Sequence, residues 1–119
     1  MIATIVLFCL FPVLLYGFWM FDVIVRAEYA NHRDLWENDG KPRGIFWIPR
    51  EVRTLGGLGV SFRSSIARER CQYRWLFNTP QWIQDDEAVF VALRRFRICI
   101  ATWNIVGLCI FAPLVILRK

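Results

Sequence analysis

The chain has 119 residues, enough for one small unit and too few for two soluble domains. Apolar residues make up 56%, well above the usual share, yet 21% are charged, so the two kinds must be segregated along the chain. The net charge of +5 calls for an anionic partner; beside two long apolar runs, lipid headgroups or a protein partner fit better than nucleic acid.

Residues 2–21 carry no formal charge. At helical rise these twenty residues measure about 30 Å, the thickness of a bilayer's hydrocarbon core. A secretory signal fits poorly, because no Lys or Arg precedes the run, the run is too long, and no small-x-small cleavage site follows. A retained membrane span is expected over 1–25. Pro12 is expected to bend it by deleting a backbone donor, and Tyr16, Phe18 and Trp19 form an aromatic belt at one end. Asp22 is expected at headgroup level, paired with Arg26 one turn on.

Residues 26–96 form a basic, aromatic-rich connection that is too apolar to stay disordered. The first helix is expected to continue to Asn38, with Val25, Tyr29, His32 and Trp36 on one face and Arg33 paired with Glu37. Gly40 and Pro42 then end it. Residues 45–49 read as a short extended apolar patch. Residues 55–59 read as a glycine-rich turn, since their spacing matches neither a dinucleotide fingerprint nor a P-loop.

Residues 61–77 read as an amphipathic helix, with Phe62, Ile66, Tyr73 and Phe77 along one side and Arg63, Arg68, Arg70 and Arg74 around the rest. Basic charge beside an apolar stripe suits a helix resting on an anionic membrane surface. A solvated basic face over a small core is the other reading. Thr79 and Pro80 are expected to open the final helix, with Asp85, Asp86 and Glu87 early in it, where negative charge complements the helix dipole.

Residues 98–117 are again free of charge. Arg94, Arg95 and Arg97 precede them, and Arg118 and Lys119 follow. The second span and basic tail occupy 97–119. Of the fifteen Arg and Lys, thirteen lie between the spans, which predicts both termini outside and the connection in the cytoplasm. The expected fold is therefore an all-α membrane protein, a two-helix transmembrane hairpin with an amphipathic helical, Trp-rich cytoplasmic connection.

Chemistry is sparse. Asp85, Asp86 and Glu87 point in different directions on a helix and do not converge on one metal or proton. His32, the single histidine, has no ligand or triad companion at a recognisable spacing. It or Asp22 touches a cofactor only if another subunit brings one. Cys9, Cys71, Cys99 and Cys109 include no C-x-x-C pair and read as small buried hydrophobes. Cys9 and Cys109 fall at similar depth in their spans and are candidates for neighbours. No catalytic residue, metal site or cofactor is predicted.

Binding surfaces are better marked. Asn104 and Gly107 share one side of the second span, where an amide seeks a partner and a glycine admits a second backbone. They define a helix-contact face, within the hairpin or toward another subunit. Arg63, Arg70, Arg74, Arg94, Arg95 and Arg97 are the candidates for anionic lipid at the membrane surface. Phe46, Trp47, Trp75 and Trp82 are the candidates for partner-facing aromatics.

The run from Asp85, Asp86, Glu87 and Phe90 to Arg94, Arg95, Phe96, Arg97 and Ile98, with Asp39, Gly40, Ile45 and Phe46 earlier, resembles bacterial universal stress protein B and related small two-span proteins. That resemblance implies a bacterial inner-membrane location and no catalytic residues. The function expected is a non-catalytic accessory, structural or assembly subunit of a larger membrane complex. A homo-oligomeric pore or transporter-like hairpin is the alternative, and a cofactor-contacting electron-transfer subunit comes third.

Overall fold

A computed structural model of the chain describes residues 1–54 and 58–118, Thr54 by its backbone alone. These residues form six helices and no strand. Helix α1 (Ile2–Asn31) passes through Pro12 without interruption. It is about 45 Å long, roughly 15 Å more than the hydrocarbon needs, so residues beyond Phe21 project from the apolar run as an arm. His32 (φ −135°, ψ 59°) stops α1, and α2 (Arg33–Asn38) starts afresh from it.

Gly40 closes α2 in the left-handed region (φ +92°), as expected from its place before Pro42. Lys41 N–H donates to Trp36 O and Gly40 N–H to Glu37 O, the paired bonds of a Schellman cap. Trp36 is fully buried, and its indole N–H donates to Pro42 O at 2.9 Å, tying the chain after the cap back to the helix. Residues 45–49 are non-helical, as expected, and lead into α3 (Arg50–Thr54).

Helix α4 (Leu58–Phe77) begins three residues earlier than its amphipathic pattern indicated. Residues 55–57 of the glycine-rich stretch lie outside the described residues, and Leu58 and Gly59 open α4. The final helix does not run straight from Pro80. A short α5 (Gln81–Gln84) comes first, and α6 (Glu87–Leu117) restarts after Asp86. Asp86 is the true N-cap, its carboxylate accepting from the N–H groups of Ala88 and Val89. Thr79 caps neither helix; its hydroxyl accepts from Arg97 instead.

α1 and α6 form an antiparallel hairpin. Gly17 meets Cys99, and one turn further along Phe21 meets Phe96, ring centroids 5.5 Å apart. A Cβ on Gly17 would lie 2.7 Å from the Cβ of Cys99, so this glycine sets the distance of closest approach. The core lies on one side of that contact: Phe21, Ile24 and Val25 of α1, Leu93 and Phe96 of α6, Trp75 of α4 and Ile83 of α5.

Beyond the contact, toward the termini, α1 and α6 expose Phe8, Phe11, Leu108, Phe111 and Leu114. Both helices are long and apolar enough to cross a membrane, and almost none of the residues in those apolar stretches is fully buried within the fold. A soluble protein's core helix has the same composition but is mostly buried. That alternative does not fit here.

Candidate functional site

The base of the hairpin, where the charge-free runs end, is the most organised part of the molecule. Asp22 is 4% exposed and does not pair with Arg26 as expected. Its carboxylate accepts three backbone N–H groups, from Ile45 (2.6 Å), Phe46 (2.7 Å) and Trp47 (2.9 Å). Such charge-assisted bonds are the strong kind, and they clamp residues 45–47 onto α1. Gly44 lets the carboxylate approach, since a Cβ there would stand 2.7 Å from it.

Phe46, held by this clamp, is half exposed against Trp19, with ring centroids 6.4 Å apart. Trp47 packs edge-on to Tyr29 at 5.2 Å. Arg33 ion-pairs with Glu51, not with Glu37, and its guanidinium covers the Tyr29 ring. The Tyr29 hydroxyl also donates to Glu51, which holds that carboxyl below its ordinary pKa.

A second charged group is buried deeper. Glu28, on the arm of α1 seven residues past the apolar run, is fully buried, and neither oxygen has a well-formed hydrogen bond. Burial first, and then the adjacent Asp39 carboxyl, push its pKa up to about 9, so it is neutral at physiological pH. Asp39 in turn binds Arg74 of α4 at 2.8 Å. Cys71, one turn before Arg74, is buried too; desolvation, with Asp39 and Glu28 nearby, raises its thiol to about 12. A thiol so placed is unreactive.

The arginines proposed for lipid divide in two. Arg63, Arg70, Arg94 and Arg95 are exposed, Arg95 also donating to the Tyr16 hydroxyl. Arg74 and Arg97 are engaged within the fold. Arg97 donates to Trp75 O (2.8 Å) and Thr79 Oγ1 (2.9 Å), capping the C-terminal end of α4. Trp75, near that end of α4, also packs on Phe21 at the end of the first apolar run, ring centroids 5.6 Å apart.

The apolar stripe of α4 faces outward. Phe62, Tyr73 and Phe77 are about 70% exposed and Ile66 44%, whereas Ser64, Ala67, Cys71 and Trp75 face inward. The apolar stripe is thus not core, and three small residues with Trp75 do the internal packing. Trp75 corrects the list of partner-facing aromatics: it is a core residue. Trp82 is half-buried between Trp75 and His32.

Asn104 and Gly107 take no part in the hairpin contact. Asn104 is exposed, its amide donating to Ile100 O of its own helix, and a Cβ on Gly107 would meet nothing within 4 Å. The crossing instead uses Gly17 and Cys99, which a lone small residue in an apolar run does not advertise. Cys9 and Cys109 are exposed and unpaired.

His32, Trp82, Asp85, Asp86 and Glu87 line one open cleft of about 850 Å3. Asp86 is occupied as a cap and Asp85 accepts from Gln81. Among the described residues no group of His, Cys, Asp or Glu is arranged to hold a metal ion. No family model, curated protein or solved structure matches the chain.

Proposed function

We propose that the chain is a two-span membrane protein serving as a non-catalytic accessory or assembly subunit of a larger membrane complex, with both termini outside and the connection in the cytoplasm. One observation carries this reading: two apolar helices bare on most of their sides, joined at a well-packed base. The bare sides are a surface for lipid and for other helices, and the Asn104–Gly107 side of α6 offers an unobstructed approach for a partner helix. Exposed Arg94 and Arg95 flank the apolar run where anionic headgroups would lie. The bacterial inner membrane is proposed from the resemblance to universal stress protein B.

A pore is less well supported. Its polar stripe would need Thr102 and Asn104, but both bond to carbonyls of their own helix, Ile98 O and Ile100 O. They make no demand for a water-filled lumen. Purification in gentle detergent followed by mass spectrometry tests the assignment. Stoichiometric foreign membrane subunits are expected; self-association alone would favour the pore and reject the accessory role.

A further inference from the structure

Trp19, Asp22, Val23 and Arg26 stand at i, i+3, i+4 and i+7 and share one face of α1. With Phe46 and Trp47 they enclose a cleft of about 210 Å3. The order along the helix is graded. Trp19 lies within the charge-free run, Val23 just past its end, and Arg26 about 10 Å beyond Trp19 at helical rise. Trp19 and Phe46 are each half exposed, so the apolar end of the cleft is open.

The other end carries one cation. The Arg26 guanidinium lies 6.0 Å from the centre of the Trp47 ring and makes no ion pair with any carboxylate among the described residues. Asp22, one turn earlier, does not ion-pair with it; both of its oxygens are engaged by the N–H groups of residues 45–47. A free cation at one end and an aromatic wall at the other match an amphiphile with an anionic head and an apolar tail.

The geometry points to a binding site for one glycerophospholipid, its phosphate on Arg26 and its glycerol and upper acyl carbons against Trp19, Val23 and Phe46. The site rests on the two-span reading, since that places the cleft at headgroup depth. Asp22 is a positioning residue here: its carboxylate holds residues 45–47 in place as the second wall. Loss of one basic group near an anionic headgroup is worth about 1 kcal/mol, roughly a fivefold change in affinity.

The test uses the full-length protein in detergent, titrated with phosphatidylglycerol and read by native mass spectrometry. The wild type is expected to hold one phospholipid tightly, Arg26→Gln to hold it about fivefold more weakly, Arg26→Lys to recover most of the loss, and Lys41→Gln, at a separate cleft, to bind as wild type. Equal retention by Arg26→Gln would overturn the site, as would displacement of the lipid by millimolar inorganic phosphate, which would mark a free-anion site. Quenching of tryptophan fluorescence by vesicles of brominated phospholipid separates the two levels of the claim. Quenching with unaltered retention in Arg26→Gln rejects the site alone; absence of quenching rejects the membrane reading and the site with it.

Discussion

Replacing Asp22 isolates one connection on which the base of the hairpin depends. Its three bonds hold residues 45–47 to α1 at 2.6 to 2.9 Å. Hydrogen bonds to a charged group contribute roughly 1.5–3 kcal/mol each, about 4–9 kcal/mol together before compensation. Asp22→Ala removes all three, but the freed segment regains water and chain entropy, so a net loss of about 2–4 kcal/mol is expected. Asp22→Asn keeps one acceptor oxygen and turns an NH2 group toward a donor. Placing that oxygen toward Phe46 and Trp47 sacrifices Ile45, and the loss should be about half as large. Amide hydrogen exchange of the detergent-solubilised protein reads the effect directly. Protection at Ile45, Phe46 and Trp47 should vanish in Asp22→Ala and fall mainly at Ile45 in Asp22→Asn. Unchanged protection at all three amides in Asp22→Ala would refute the clamp.

Two further substitutions probe the packing. Glu28 is protonated in the fold with a pKa of about 9 against an ordinary 4.5, facing Asp39, with Arg74 and Cys71 close by. The folded state therefore keeps a proton that the unfolded chain releases, so the stabilisation is complete below pH 4.5 and declines toward pH 9 by up to about 1.4 kcal/mol per pH unit. Thermal unfolding of the wild type should shift downward between pH 6 and pH 8, and Glu28→Gln, which is neutral throughout, should flatten that slope. At the helix crossing, Gly17→Ala sets a methyl 2.7 Å from the Cys99 Cβ, and the overpacking should cost about 1–3 kcal/mol despite alanine's better helix propensity. Adding Cys99→Gly should restore more stability to Gly17→Ala than it gives the wild type, a coupling readable in a double-mutant cycle.

The long-range architecture was legible wherever one physical pattern dominates a continuous stretch. The two apolar runs announced α1 and α6, and Gly40 before Pro42 announced the end of α2, whereas the Asp85–Glu87 carboxylates, expected inside a helix opened at Pro80, instead stand at the start of a new one capped by Asp86. What escaped involves partners distant in sequence. Asp22 beside Arg26 looks like a local pair, yet its ligands are backbone groups 23 to 25 residues away. Arg33 finds Glu51 across the fold in preference to Glu37. Glu28 carries no sequence mark of burial, because a charge on an exposed helical arm and a protonated acid under α4 are the same letter.

In α4 the stripe lies outward, as one of its two readings required, and the inward side was the unmarked one. Its large apolar side chains form the obvious stripe, but the side that packs inward is built from Ser64, Ala67 and Cys71, which let the helix approach closely. The large apolar side chains, Phe62 and Tyr73 among them, point outward. Within the spans, Gly17 and Gly107 are equivalent by composition; the neighbouring Cys99 makes one a crossing point, while the other faces open space.

The membrane reading is tested most directly by the four native cysteines, because fold and bilayer protect different pairs. Cys71 and Cys99 are buried by protein, whereas Cys9 and Cys109 are exposed and only lipid would cover them. In phospholipid vesicles a water-soluble maleimide should label none of the four, while a cysteine introduced by Glu69→Cys, at a position 65% exposed beyond the apolar runs, should label rapidly. Labelling of Cys9 and Cys109 as fast as the introduced thiol would place both apolar helices in water and contradict the account.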